Sequence, residues 1–159
     1  MLRTLLDRRL FSIADTQACA VALAGVARRG DVFALWGGLG VGKTVLARAF
    51  IRARGYPQDE IPSPTFTLVQ IYEPPAPSCP IFHFDLYRLQ EAEDVYELGI
   101  EDAFADGIVL IEWPDRLGSL LPSDRLDVCL QPGATDDARQ LVLAGSESWQ
   151  DRLREKRLG

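Results

Sequence analysis

Hydrophobic and polar positions fall into short apolar runs and longer stretches of helical spacing. Ile81–Asp85 (IFHFD), Ile108–Glu112 (IVLIE) and residues 31–36 (DVFALW) are apolar runs of strand length, so they predict buried strands. Residues 43–54 place Val45, Leu46, Ala49, Phe50 and Ala53 on one helical face, with Arg48 and Arg52 opposite. Upstream, a short strand is predicted at 10–14. Behind it an Ala-rich helix is capped by Asp15 or Thr16, runs to about Arg29 and is stopped by Gly30. Residues 66–73 alternate as a strand, residues 91–98 form a short helix, and Pro114 opens another. A late strand pair is predicted at 125–130 and 140–144. A terminal helix follows at 146–157, with Ser148 and Asp151 in capping-box spacing. The Pro-bearing segments 56–64 and 73–80 read as loops. With no internal repeat and no linker, residues 1–159 are expected to form a single domain.

Composition narrows the function more than the fold. At 47% hydrophobic and 25% charged, the chain is an ordinary globular protein. Its net charge of −6 argues against gripping nucleic acid directly, because phosphate affinity rests on Lys and Arg. The sequence has no Asn, which excludes the Asn-Lys-x-Asp guanine motif and the protein-kinase catalytic loop. A single His, His83, excludes a His-rich zinc site. Cys19, Cys79 and Cys129 are odd in number and widely spaced, which predicts free thiols in a reducing, cytoplasmic setting. The Arg-flanked apolar run from Ala18 to Ala27 is read as an amphipathic helix rather than a signal peptide, because Asp15, Thr16 and Gln17 interrupt it. No stretch approaches a membrane span, so no membrane partner is expected.

The strongest chemical signal is Gly37-Gly38-Leu39-Gly40-Val41-Gly42-Lys43-Thr44, which fits G-x-x-x-x-G-K-[ST]. Such a loop curls so that successive backbone N–H groups face one phosphate, and glycine permits the necessary angles and close approach. The following helix aims its positive end at the same anion. Gly38, Leu39, Gly40, Val41, Gly42, Lys43, Thr44 and Val45 are therefore the candidate phosphate cradle. Lys43 is suited to the β- and γ-phosphates and the Thr44 hydroxyl to Mg²⁺. Trp36, beside the loop, is read as a core aromatic, with packing on nucleotide as the alternative.

P-loop proteins commonly place a carboxylate for Mg²⁺ at the end of an apolar strand. Two candidates stand here, Asp85 and Glu112. Two such positions predict a division of labour, one carboxylate for Mg²⁺ and the other for the attacking water. The run ending in Glu112 is the more uniformly apolar, as befits a central strand beside the P-loop strand. His83 shares a strand face with Asp85 and is read as structural, with a general-base role as the alternative.

Residues 63–66 (SPTF), residues 83–89 (HFDLYRL), Glu97-Leu98-Gly99, Glu112-Trp113-Pro114 and Leu121-Pro122 occur in an order that resembles the TsaE (YjeE) family, over residues 12–145. The resemblance implies an α/β, three-layer P-loop NTPase fold with a mixed β-sheet, using ATP and Mg²⁺. It also implies an ATPase that works with TsaD and TsaB in threonylcarbamoylation of adenosine 37 of tRNAs reading ANN codons, with tRNA met through those partners. By the same resemblance Glu112 is a Mg²⁺ ligand and Asp85 is needed for ATP turnover. Thr65 sits in a switch loop that senses the γ-phosphate or Mg²⁺. One departure is Gln70-Ile71-Tyr72, where the family often has Asn-Glu-Tyr. The C-terminal Arg152, Arg154, Lys156 and Arg157 match no motif and are read as a solvated face. Two rivals remain: a small-molecule kinase, for which no lid segment stands out, and a nucleotide-dependent interaction module with little hydrolysis.

Overall fold

The computed structural model describes residues 2–56, 67–73 and 78–155. Its strands are β1 (Arg3–Leu10), β2 (Val32–Trp36), β3 (Val69–Tyr72), β4 (Ile81–Asp85), β5 (Ile108–Glu112), β6 (Leu126–Pro132) and β7 (Arg139–Gly145). Its α-helices are α1 (Ile13–Val26), α2 (Lys43–Ala53), α3 (Ile100–Asp106) and α4 (Glu147–Glu155), with 3₁₀ segments at Ala92–Leu98 and Pro114–Leu120. All seven strands form one sheet in the order β1-β7-β6-β2-β5-β4-β3. The four central strands, β6, β2, β5 and β4, run parallel, while β1, β7 and β3 are antiparallel to their neighbours. The sheet is therefore mixed, as expected.

Alternation along the central strands explains the layering. Phe33 and Leu35 of β2, with Ile108 and Leu110 of β5, enter one apolar cluster with α1, α2 and α4. Val32, Val109 and Ile111 point the other way, into a second cluster with α3 and the 3₁₀ segments. Helical layers thus cover both faces, which is why these strands read as unbroken apolar runs. In the first cluster Phe33 meets Phe50 and Trp149 edge-on, at centroid distances of 5.1 and 5.4 Å.

Register fixes the chemistry-bearing end of the sheet. Leu35 pairs with Glu112, and Glu112 in turn with Asp85. The carboxyl ends of β2, β5 and β4 therefore lie side by side, where ligands bind in open α/β sheets.

Several elements differ from the sequence reading. The first strand is Arg3–Leu10, not 10–14. Ser12 is the N-cap of α1, in place of Asp15 or Thr16. Its Oγ accepts from Asp15 N at 3.1 Å while Asp15 Oδ2 accepts from Phe11 N at 2.8 Å. Asp15 thus sits inside the first turn as a capping partner, and the helix ends at Val26 rather than Arg29. Strand β3 starts at Val69, while the short helix expected at 91–98 is present as the 3₁₀ segment Ala92–Leu98. The short helix α3 was not foreseen. At the C-terminus Ser148 lies inside α4. Arg152 is not solvated: it donates to both Asp31 carboxylate oxygens, at 3.0 and 2.6 Å, and lies 4.0 Å from the Trp149 ring. Arg154 is exposed as expected, and Lys156 and Arg157 lie outside the described residues.

Candidate functional site

Among the described residues, the buried polar or charged side chains are Thr16, Lys43, His83, Asp85 and Glu112. Four of them line one cleft of about 410 Å³, and the fifth, His83, bonds to a residue that does. Burying a charge is costly unless it is paired, so this concentration marks where the fold spends stability on chemistry.

The glycine-rich loop runs from the end of β2 into α2. Gly37, Gly40 and Gly42 have φ of 145°, 73° and 112°. Space as well as angle demands glycine at Gly37. A Cβ there would stand 2.6 Å from the Leu130 carbonyl oxygen and 2.6 Å from a Val41 methyl. Gly37→Ala is therefore expected to cost about 2–4 kcal/mol, combining backbone strain with overpacking. Urea unfolding should show that loss, whereas Gly38→Ala, whose Cβ meets nothing within 4 Å, should stay close to wild type.

Lys43 opens α2, yet its ammonium turns back across the loop. Nζ donates to the Gly37 carbonyl and, at 3.0 Å, to that of Gly38. It also stands 3.6 Å from the Trp113 ring centroid. Desolvation by burial lowers the Lys43 pKa, and the carboxylates of Glu112, Asp85 and Asp115 oppose that shift. Thr44 Oγ1 donates to Glu112 Oε1 at 2.8 Å. The other Glu112 oxygen, Oε2, lies 2.7 Å from His83 Nε2. Asp85 Oδ1 accepts from Tyr87 N at 3.1 Å, and Asp85 N donates to Leu68 O at 3.0 Å.

The structure therefore brings Lys43, Thr44, Asp85 and Glu112 into one cleft, with Gly38, Leu39, Gly40, Val41, Gly42 and Val45 in its wall. Thr65 lies outside the described residues. Trp36 neither lines the cleft nor joins the apolar core expected for it: it is half-buried at the end of β2, and its Nε1 donates to Asp127 Oδ1 at 2.8 Å.

Sequence reasoning gave no role to two further residues. Trp113 takes the left-handed conformation, φ 60° and ψ 52°, directly after β5. Its indole there meets both Lys43 and the Tyr87 ring, the latter at 4.9 Å. A strand-end Trp-Pro was visible in the sequence, but its backbone conformation was not. Arg139 opens β7 and also lines the cleft; its guanidinium holds the loop, with Nε donating to Val41 O at 2.5 Å and an Nη to Gly40 O at 3.3 Å. Nearly 100 residues separate the partners, so no local pattern signals this contact.

Strand, glycine-rich loop, helix N-terminus and neighbouring strand-end carboxylate, in that spatial order, have the geometry of a P-loop protein. The family model described as threonylcarbamoyl adenosine biosynthesis protein TsaE matches residues 10–141. A relative from Rickettsia bellii (strain RML369-C) is 39% identical over 127 residues, which is 80% of this chain and 85% of the relative. One from Bacillus subtilis (strain 168) is 33% identical over 129 residues, covering 80% and 78%. Both are named tRNA threonylcarbamoyladenosine biosynthesis protein TsaE. The crystal structure of Bacillus subtilis YdiB superposes with a TM-score of 0.76 at 27% identity, covering 98% of this chain and 95% of that one. The chain belongs to the TsaE family.

Proposed function

We propose that this chain is the ATPase subunit required for threonylcarbamoylation of adenosine 37 in tRNAs reading ANN codons. In this reading one P-loop domain spanning the chain works in the cytoplasm, coupling ATP binding and hydrolysis to TsaB- and TsaD-like partners. The family and the names of the relatives support the pathway. The acidic net charge of −6 supports a tRNA contact made through those partners. Among the described residues no helix is long and apolar enough to cross a membrane.

One observation carries the enzymatic part: Thr44 Oγ1 and Glu112 Oε1 meet at 2.8 Å beside Lys43, at the mouth of the glycine-rich loop. The donors there fit Mg²⁺, a hard cation that takes one or two protein oxygens and fills its other positions with water and phosphate. A hydroxyl–carboxylate pair is sufficient for that, and no cluster of three or more potential ligands occurs among the described residues. Thr44 and Glu112 would hold the ion, which supplies charge neutralisation for the phosphates. Backbone N–H groups from Gly38 to Val45 bind phosphate oxygens. Lys43 exchanges two carbonyl acceptors for a phosphate, trading dipoles for a full opposite charge. Asp85 orients the attacking water and takes its proton. Thr65 is the proposed γ-phosphate sensor, on the family resemblance of residues 63–66 alone.

Nucleotide binding should appear as thermal stabilisation. At a concentration of about a hundred Kd, ATP with Mg²⁺ adds about 2.7 kcal/mol, or roughly 5–10 °C in Tm for a domain of this size. GTP should do much less, because the chain lacks the Asn of the guanine motif. Equal shifts from both would remove the adenine preference, and no shift from either would remove the nucleotide reading. Phosphate release, measured alone and then with TsaB, TsaD and tRNA, tests the coupling.

A further inference from the structure

We propose that His83 is a positioning residue that sets the Glu112 carboxylate for its metal, rather than a structural histidine or a general base. The inference rests on the Mg²⁺ reading above. His83 sits in the middle of β4, is 0% exposed and pairs with Leu110 of β5. Its Nε2 lies 2.7 Å from Glu112 Oε2, while Glu112 Oε1 accepts from the Thr44 hydroxyl at 2.8 Å. The two oxygens of one buried carboxylate thus have separate partners, on different elements, which fixes the carboxylate plane.

The second ring nitrogen identifies the donor. Nδ1 is buried with no partner among the described residues. A proton on Nδ1 would strand a buried donor and set two lone pairs against each other across the 2.7 Å contact. With the proton on Nε2, the ring donates to Glu112 and leaves only a lone pair unmatched. Burial excludes the general-base alternative. His83 forms no part of the cleft wall and stands behind Glu112, out of reach of a substrate water. A residue that only filled space at this point of an apolar strand would be apolar, like Phe82 and Phe84 on either side. Partners behind a ligand fix its orientation, and their loss typically lowers metal affinity by about 10–100-fold.

The test is ADP affinity by calorimetry, with Mg²⁺ and with a chelator, in wild type and three variants. The readout is the ratio of the two affinities. His83→Gln places an amide nitrogen at the reach of Nε2 and should keep the wild-type ratio within about threefold. His83→Asn places it at the reach of Nδ1, and His83→Phe removes the donor. Both should lower the ratio about tenfold or more while leaving Mg²⁺-free affinity unchanged. If His83→Phe does not fold, the Asn and Gln variants carry the comparison. A Mg²⁺ effect that Asn and Phe both retain overturns the inference alone, as does an equal loss in Gln and Asn. A wild-type protein that binds ADP equally well without Mg²⁺ overturns the metal reading, and this inference with it. Because His83 is the only histidine, the ¹⁵N spectrum gives an independent readout. The proton should be on Nε2 in wild type and should redistribute in Glu112→Ala. A proton on Nδ1 in wild type overturns the proposal.

Discussion

Lys43→Ala is expected to lower ATP turnover by about a hundred- to a thousandfold, the scale for losing one preorganised group that stabilises developing charge. The reason lies in where the ammonium is held. Nζ is buried between two loop carbonyls and the Trp113 ring, with Glu112 and Asp85 acting on it from the cleft. No other cation among the side chains lining the cleft is buried: Arg139, the second one there, is only half-buried and its guanidinium is bonded to the carbonyls of Val41, Gly40, Asp136 and Ala138. Lys43→Arg should not restore turnover. A planar guanidinium cannot act as the compact point charge that Nζ presents 3.6 Å from the indole. Phosphate release at saturating ATP and Mg²⁺, with the partner proteins present, measures both variants. The same sample decides the coupling. Multiple-turnover tRNA modification should stop together with hydrolysis in Lys43→Ala. Modification at full rate over many cycles would mean that hydrolysis is not coupled to it, and a nucleotide-dependent interaction module would replace the ATPase reading.

What was legible in the sequence follows from how local each signal is. Ile81–Asp85 and Ile108–Glu112 were read to the residue because strands buried on both faces are apolar throughout and stop abruptly at a carboxylate. The loop and α2 were equally plain, since glycine spacing and helical periodicity both act within one turn. Strand β1 was missed because its sequence, RTLLDRRL, is mostly exposed at the sheet edge and has no clean alternation. Pairing with β7, from Arg3–Gly145 to Leu10–Arg139, makes it a strand, and that pairing is non-local. Arg152 was misread for the same reason: charge on a terminal helix usually means solvent, and its partner Asp31 lies 121 positions away. In the site, Lys43, Thr44, Asp85 and Glu112 were nameable as candidates, and the structure brings them into one cleft. Their mutual bonds were not legible, nor was the place of His83 behind Glu112 or of Trp113 above Lys43, because each depends on strand register and on one left-handed backbone turn.

Separating the two carboxylates is the sharper test of the site. Glu112 is 2% exposed and bonded through both oxygens, to Thr44 and to His83, whereas Asp85 accepts from the backbone of Tyr87 two residues on. Glu112 is therefore bonded to the hydroxyl in the first turn of α2, and Asp85, one strand farther from the loop, is the carboxylate proposed for the water. Glu112→Ala should abolish the Mg²⁺ enhancement of nucleotide affinity. It also leaves the Thr44 hydroxyl and His83 Nε2 without their acceptor, at about 1–3 kcal/mol for each buried group, so its Tm without nucleotide should fall. Asp85→Ala should bind ATP and Mg²⁺ nearly as wild type does and lose turnover by about a hundredfold or more, the contribution of a positioned base. Asp85→Asn, which can still orient water but cannot take its proton, should fall between them. Calorimetry with and without Mg²⁺, set beside single-turnover hydrolysis, gives binding and chemistry separately for each variant. The opposite pattern, with Asp85→Ala losing the Mg²⁺ effect and Glu112→Ala losing only turnover, would exchange the two roles. It would place the metal beside β4 rather than at the Thr44–Glu112 pair.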